Sequence, residues 1–207
     1  MLDAALQPLQ RRALTPMARV LVARGVGADT ATLTGFAMGL MALLFIINQA
    51  YLPALAFILL NRLLDGLDGA IARLTRPTDR GAFLDIALDF FFYATVPLAF
   101  AVADPGANAL PAAIVITAFV GTGSSFLAFA VIAAQRGLPA SAFTGKGIHY
   151  LSGLTEGAET IAFFMAICLF PAYFGEISIG FALACLVTTF TRWIQGMQMF
   201  RDPDPVS

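Results

Sequence analysis

Long apolar stretches separated by short turn-forming segments dominate the chain. A bilayer core asks for about 20 mostly apolar residues per helix. Six segments answer that description: 32–48, 51–64, 82–103, 109–134, 153–172 and 177–199. The second is short, but its pattern continues past Asn61 toward Leu74 at the membrane surface. Turn chemistry marks the breaks at 49–53, at Asp104-Pro105-Gly106 and at 171–175. Residues 135–152, with three glycines and a proline, read as a longer surface loop.

The first stretch, 2–24, differs. Arg11, Arg12, Arg19 and Arg24 interrupt Leu6, Leu9, Leu14, Met17, Val20, Leu21 and Val22. It is too charged to span and lacks the apolar core of a signal peptide. Two placements are open: an amphipathic helix in the membrane interface with its arginines toward lipid phosphates, or a short cytosolic helix packed on the bundle. The pattern therefore predicts an all-α, polytopic membrane protein of six transmembrane helices preceded by an N-terminal interfacial amphipathic helix. It forms one domain, 1–207: an interfacial helix and turn at 1–28, a six-helix bundle at 29–200 and a tail at 201–207.

Composition agrees. Of 207 residues, 59% are hydrophobic and 12% charged, with a mean hydropathy of +0.82. Ordinary soluble domains carry about a quarter charged residues, so a soluble enzyme and a disordered chain are both excluded. A net charge of −1 offers nucleic acid no attraction. Cys168 and Cys185, both in apolar runs, read as small fillers.

The few charges are partitioned. All twelve Lys and Arg fall on the side of the N-terminus, loops 65–81 and 135–152 and the C-terminus, or at its border. The opposite loops hold only Asp104 and Glu176. The positive-inside rule then puts both termini in the cytoplasm.

Four acids, Asp65, Asp68, Asp85 and Asp89, crowd the end of the second span and the start of the third. Asp65 and Asp68 lie about 60° apart on one helix face. Asp85 and Asp89, four positions apart, share a face of the next helix. A turn at Asp79-Arg80-Gly81 lets the helices run antiparallel and brings the pairs together. At ~6 Å and an effective dielectric near 20, each like-charged pair costs about 3 kcal/mol. Salt bridges to Arg62, Arg73, Arg76 and Arg80 would relieve some of this, but would not explain the shared faces. Two divalent cations would offset all four charges, and carboxylates suit Mg²⁺ or Mn²⁺. Gly69 and Ala72 leave a trough beside the aspartates, and Arg73 borders it as a phosphate partner.

The string from Asp65 through Asp68, Gly69 and Ala72 to Arg73, then Gly81, Asp85 and Asp89, resembles the signature of the CDP-alcohol phosphotransferase family. All eight specified positions match, across a spacer of seven residues. The resemblance implies that Asp65 and Asp85 bridge two metal ions, that Asp68 completes one site and Asp89 the other, and that Asp89 is also the general base. Gly69, Arg73, Thr78 and Gly81 would border the cytidine nucleotide and its diphosphate. Asp29 and Thr32 resemble a further nucleotide-bordering motif, with Asp29 in place of the usual Asn. As a helix N-cap, Asp29 could equally be structural.

The second half is less explicit. Glu156 and Glu159 could hydrogen-bond an acceptor alcohol, with Lys146 beside them, or could pair with basic residues at a helix entrance. Arg192 could bind an acceptor phosphate or snorkel. His149 reads as interfacial.

The resemblance implies transfer of a phosphatidyl group from a CDP-linked donor, CDP-diacylglycerol, to a hydroxyl acceptor, releasing CMP in phospholipid biosynthesis. It implies a homodimer among membrane lipids, in a bacterial inner (plasma) membrane with the active site cytoplasmic. Two alternatives remain open: a CDP-linked polar alcohol used with a lipid acceptor, and a divalent-cation transporter.

Overall fold

A computed structural model describes residues 2–138 and 153–201. Regular structure among them is entirely helical: α1 (Leu2–Ala23), α2 (Ala28–Ile47), α3 (Tyr51–Leu74), α4 (Asp79–Ala103), α5 (Pro105–Gln135), α6 (Gly157–Leu169), a 3₁₀ turn (Pro171–Tyr173) and α7 (Phe174–Met199).

Helix ends follow from local chemistry. At Gly25 and Gly137 the chain turns left-handed (φ +79° and +67°). In both places the glycine's own amide and the one after it cap orphaned carbonyls, as in Gly25 N to Val22 O and Val26 N to Leu21 O. Gln49 makes the same turn at φ 58° without being glycine. Its side-chain amide donates to Ala103 O at 3.2 Å, tying that turn to the end of α4. Thr78 caps α4 by accepting from Gly81 N, and Asp104 caps α5 by accepting from Ala107 N.

Small residues bring α2 against α3 and α4. A Cβ on Gly35 would meet Leu64 Cβ at 3.1 Å, and one on Gly39 would meet the Phe92 ring at 2.9 Å. Close approach at small residues is how apolar helices pack where lipid tails remove the hydrophobic incentive. The core beyond is largely aromatic. Phe163 stacks on Phe181 at 4.3 Å and Phe100 on Phe174 at 4.6 Å, while Phe92, Phe100 and Phe164 are essentially inaccessible.

Among the described residues, four segments are long and apolar enough to cross a membrane: Ala28–Ile47, Asp79–Ala103, Pro105–Gln135 and Pro171–Met199. α3 runs unbroken to Leu74, but Arg62, Asp65, Asp68 and Arg73 load its second half with charge. The expected span 153–172 is only partly helical. Its helix covers only the 13 residues Gly157–Leu169, about 20 Å at 1.5 Å per residue. The residues before it are held out of the helix: Thr155 N and its hydroxyl both meet Thr188 Oγ1 at 3.0 Å. Gly153 fits so tightly there that a Cβ would stand 2.1 Å from Thr188 Cγ2.

α1 is helical as its pattern predicts, and it packs on the bundle. Leu14 and Ala18 are buried with Leu67, Ala70 and Ile71 of α3 and Ala31 of α2. Arg12 and Arg19 point away and are exposed.

Candidate active site

α3 and α4, consecutive in the chain and each packed on α2, carry all eight signature residues, and the three helices line a cleft. α2 contributes Thr32, Gly35 and Phe36, α3 Asn61, Arg62 and Asp65, and α4 Asp85, Leu88 and Asp89 to its lining. One carboxylate oxygen from each of Asp65, Asp68 and Asp85 lies within 4.8 Å of the other two. Three hard oxygen donors that close fit one Mg²⁺ or Mn²⁺ ion, completed by water or phosphate oxygens.

Asp68 is 6% exposed, and Thr32 Oγ1 donates to its Oδ2 at 2.5 Å. This bond orients the carboxylate, since both of its ends sit on rigid helices. Asp65 and Asp68 lie beyond the apolar stretch 51–64, and burial raises both carboxyls above the ordinary range. For Asp68 the rise is to about 6, opposed by the Thr32 bond. For Asp65 it is opposed by Arg62 and reinforced by the neighbouring aspartates. A bound cation relieves the same strain by neutralising the crowded charge.

Asp89 lines the cleft but is not in the three-carboxylate group. Arg62 pairs with it at 2.7 Å and with Asp65 at 3.5 Å. In the sequence Arg62 is one of several cations that could relieve the aspartates. Asn61 and Tyr93, which hold it, were not singled out. The signal was the polar pair Asn61-Arg62 inside an otherwise apolar run.

Of the residues read as nucleotide-bordering, Asp29, Thr78 and Gly81 come together at one corner. Asp29 pairs with Arg80 at 3.3 Å. A Cβ on Gly81 would meet Thr78 Oγ1 at 3.1 Å and Asp29 Oδ1 at 3.4 Å, so Gly81 keeps this corner open. Gly27 is the N-cap of α2, which corrects the capping reading of Asp29; that residue lies in the first helical turn. The guanidinium of Arg73 lies over Gly69, where an added Cβ would be 3.2 Å from Nη1.

Glu156 and Glu159 form a capping box at the start of α6. Glu159 Oε2 accepts from Glu156 N at 3.0 Å, and Glu156 Oε1 from Gly153 N at 3.1 Å. Arg192 donates to Thr122 O at 3.1 Å and lies over the Phe126 ring. Lys146 and His149 fall outside the described residues.

The profile of the CDP-alcohol phosphatidyltransferase family matches residues 26–194. The chain belongs to that family. Membership makes it a transferase of phospholipid biosynthesis and spans the cleft and the capping box alike. The chain is also 52% identical, over 192 residues covering 93% of each protein, to the inner membrane protein YnjF of Escherichia coli (strain K12). Its fold is like that of the Mycobacterium tuberculosis phosphatidylinositol phosphate synthase PgsA1 solved with CDP-DAG bound. The TM-score is 0.64 at 21% identity, covering 95% of this chain and 98% of that one. At that identity the likeness speaks for the fold alone.

Proposed function

We propose that the chain transfers a phosphatidyl group from CDP-diacylglycerol to a hydroxyl acceptor and releases CMP. The observation that carries this is the convergence of Asp65, Asp68 and Asp85 on one cleft that Asp89 also lines. The family's own description supports a phosphatidyl rather than another phospho-alcohol donor.

In this reading Asp65 and Asp85 would serve both of two divalent cations, Mg²⁺ or Mn²⁺, with Asp68 helping to hold one and Asp89 the other. When bound they neutralise the diphosphate and the departing CMP phosphate. Asp89 takes the proton of the acceptor hydroxyl. The acceptor oxygen forms its bond to the phosphatidyl phosphorus as the bond from that phosphorus to CMP breaks. Arg73, beside Gly69, reaches the diphosphate, and Asp29, Thr32, Thr78 and Gly81 border the nucleotide. Glu156 and Glu159, at the start of α6, contact the acceptor together with Lys146.

The charge pattern supports six spans, with α3 and α6 added to the four long apolar segments and both termini cytoplasmic. The name of the YnjF relative supports a bacterial inner membrane. α1, packed on α3, would lay its exposed arginines against lipid phosphates. A homodimer completes the proposal.

The test is purified protein with CDP-diacylglycerol, Mn²⁺ or Mg²⁺ and a panel of alcohols, following CMP and identifying the lipid. Wild type should release CMP, and Asp89→Asn should release none while remaining folded. CMP formed only from a CDP-linked polar alcohol plus diacylglycerol would reverse donor and acceptor. Normal turnover by Asp89→Asn would remove the base.

A further inference from the structure

The cleft has a cation of its own. The Arg62 side chain is 12% exposed and lies among the carboxylates. Nη2 donates to Asp89 Oδ1 at 2.7 Å and Nη1 to Asp89 Oδ2 at 3.1 Å, so the guanidinium fork engages both oxygens of that carboxylate. Nη1 also lies 3.0 Å from the Tyr93 hydroxyl. Nε donates to Asn61 Oδ1 at 2.8 Å, and Asn61 is itself pinned by donation from Nδ2 to Gly35 O at 2.9 Å. The guanidinium carbon lies 5.4 Å from the Phe92 ring centre and 5.3 Å from that of Tyr93. α2, α3 and α4 thus hold one positive charge in place. A snorkelling side chain would have no such set of partners.

This makes the two proposed ion positions unequal. Of the three clustered carboxylates, only Asp65 reaches Arg62 among the described residues, at 3.5 Å. An ion among Asp65, Asp68 and Asp85 therefore meets mainly negative charge. An ion on Asp89 must use a lone pair beside the guanidinium and sit against a fixed like charge, in a site only partly reached by water. Arg62 lies outside the signature, so the signature does not reveal the inequality.

We propose that Arg62 is a positioning residue that neutralises Asp89 and makes the centre fill in order. The first divalent ion takes the Asp65–Asp68–Asp85 group. The second joins at Asp89 only when the donor diphosphate brings enough negative charge to outweigh the guanidinium. The proposal rests on the two-ion reading above.

Purified full-length protein in nanodiscs is titrated with Mn²⁺ by calorimetry, with electron paramagnetic resonance reporting whether bound ions are isolated or coupled. Without donor, wild type should take one ion with an isolated-Mn²⁺ spectrum. With CDP-diacylglycerol, and no acceptor alcohol, it should take two with a coupled spectrum. Arg62→Met should admit the second ion without donor, at least about tenfold more tightly than wild type does. Arg62→Lys, which keeps the charge but loses the fork, should stay a one-ion protein. Two ions of similar affinity in donor-free wild type would overturn the ordered filling, whether or not the Met variant folds. An unchanged second site in a folded Arg62→Met protein would overturn it too. Wild type that binds no Mn²⁺ at all would remove the metal centre itself, an outcome distinct from either.

Discussion

Thr32 offers the sharpest test of how the cleft is held. Its hydroxyl lies 2.5 Å from Asp68 Oδ2 and 3.1 Å from Ala28 O, and the single proton goes to the ionised partner. Replacing Thr32 with Val keeps shape and volume but removes the donor, leaving a carboxylate of 6% exposure without its orienting partner. A hydrogen bond to a charged group contributes about 1.5–3 kcal/mol. At 1.4 kcal/mol per factor of ten, that is roughly 10- to 100-fold in the affinity of the ion Asp68 helps to hold. The same range is typical when a partner that orients a metal ligand is lost. The assay is Mn²⁺ titration of purified protein without nucleotide, so that any contact of Thr32 with the donor plays no part. Thr32→Ser should recover most of the affinity, because it restores the proton donor. A Thr32→Val protein with wild-type thermal stability and an Mn²⁺ affinity within about twofold of wild type would refute the reasoning, since a bond that orients a ligand cannot be removed without cost.

Asp85→Asn removes one of three clustered oxygens, and should abolish both tight Mn²⁺ binding and CMP release while the protein still elutes as a folded species; EDTA added to wild type should mimic the activity loss, reversed by excess Mn²⁺. Gly39→Val puts carbon where the Phe92 ring already stands at 2.9 Å, so overpacking should destabilise the fold by roughly 1–3 kcal/mol or more, read as a lower midpoint in a detergent thermal-shift assay. Ala18→Glu sets an unpaired carboxylate at a position with no exposure and should release α1 from α3, seen as new protease cleavage within 12–27 while the cleft still binds Mn²⁺.

Much of the candidate site could be read from the chain alone, because helical spacing decides which side chains share a face. Asp65 with Asp68, and Asp85 with Asp89, follow from 3.6 residues per turn, and the short connection between the two helices keeps the pairs near each other. The placement of Thr78 and Gly81 beside that connection is equally local. The start of α6 was harder to read. A Glu at the N-cap is an unusual lead for a capping box, so Glu156 and Glu159 looked like charges seeking a ligand or a salt bridge. Their bonds to backbone amides emerged only with the helix start four residues later than expected.

By itself, then, the sequence determined a multi-helix apolar protein with few charges and with its signature carboxylates paired on the faces of two successive helices. Those properties depend on hydropathy, charge and helical period, all of which are local. Only the tertiary structure decided which carboxylates meet. Three of them cluster, while the fourth is held by Arg62, because α2 approaches closely enough through Gly35 and Gly39 to anchor Asn61 and support the guanidinium between Phe92 and Tyr93. That contact joins residues on three helices. Its distances are set by how small side chains let the helices approach, which no periodicity along a single segment encodes.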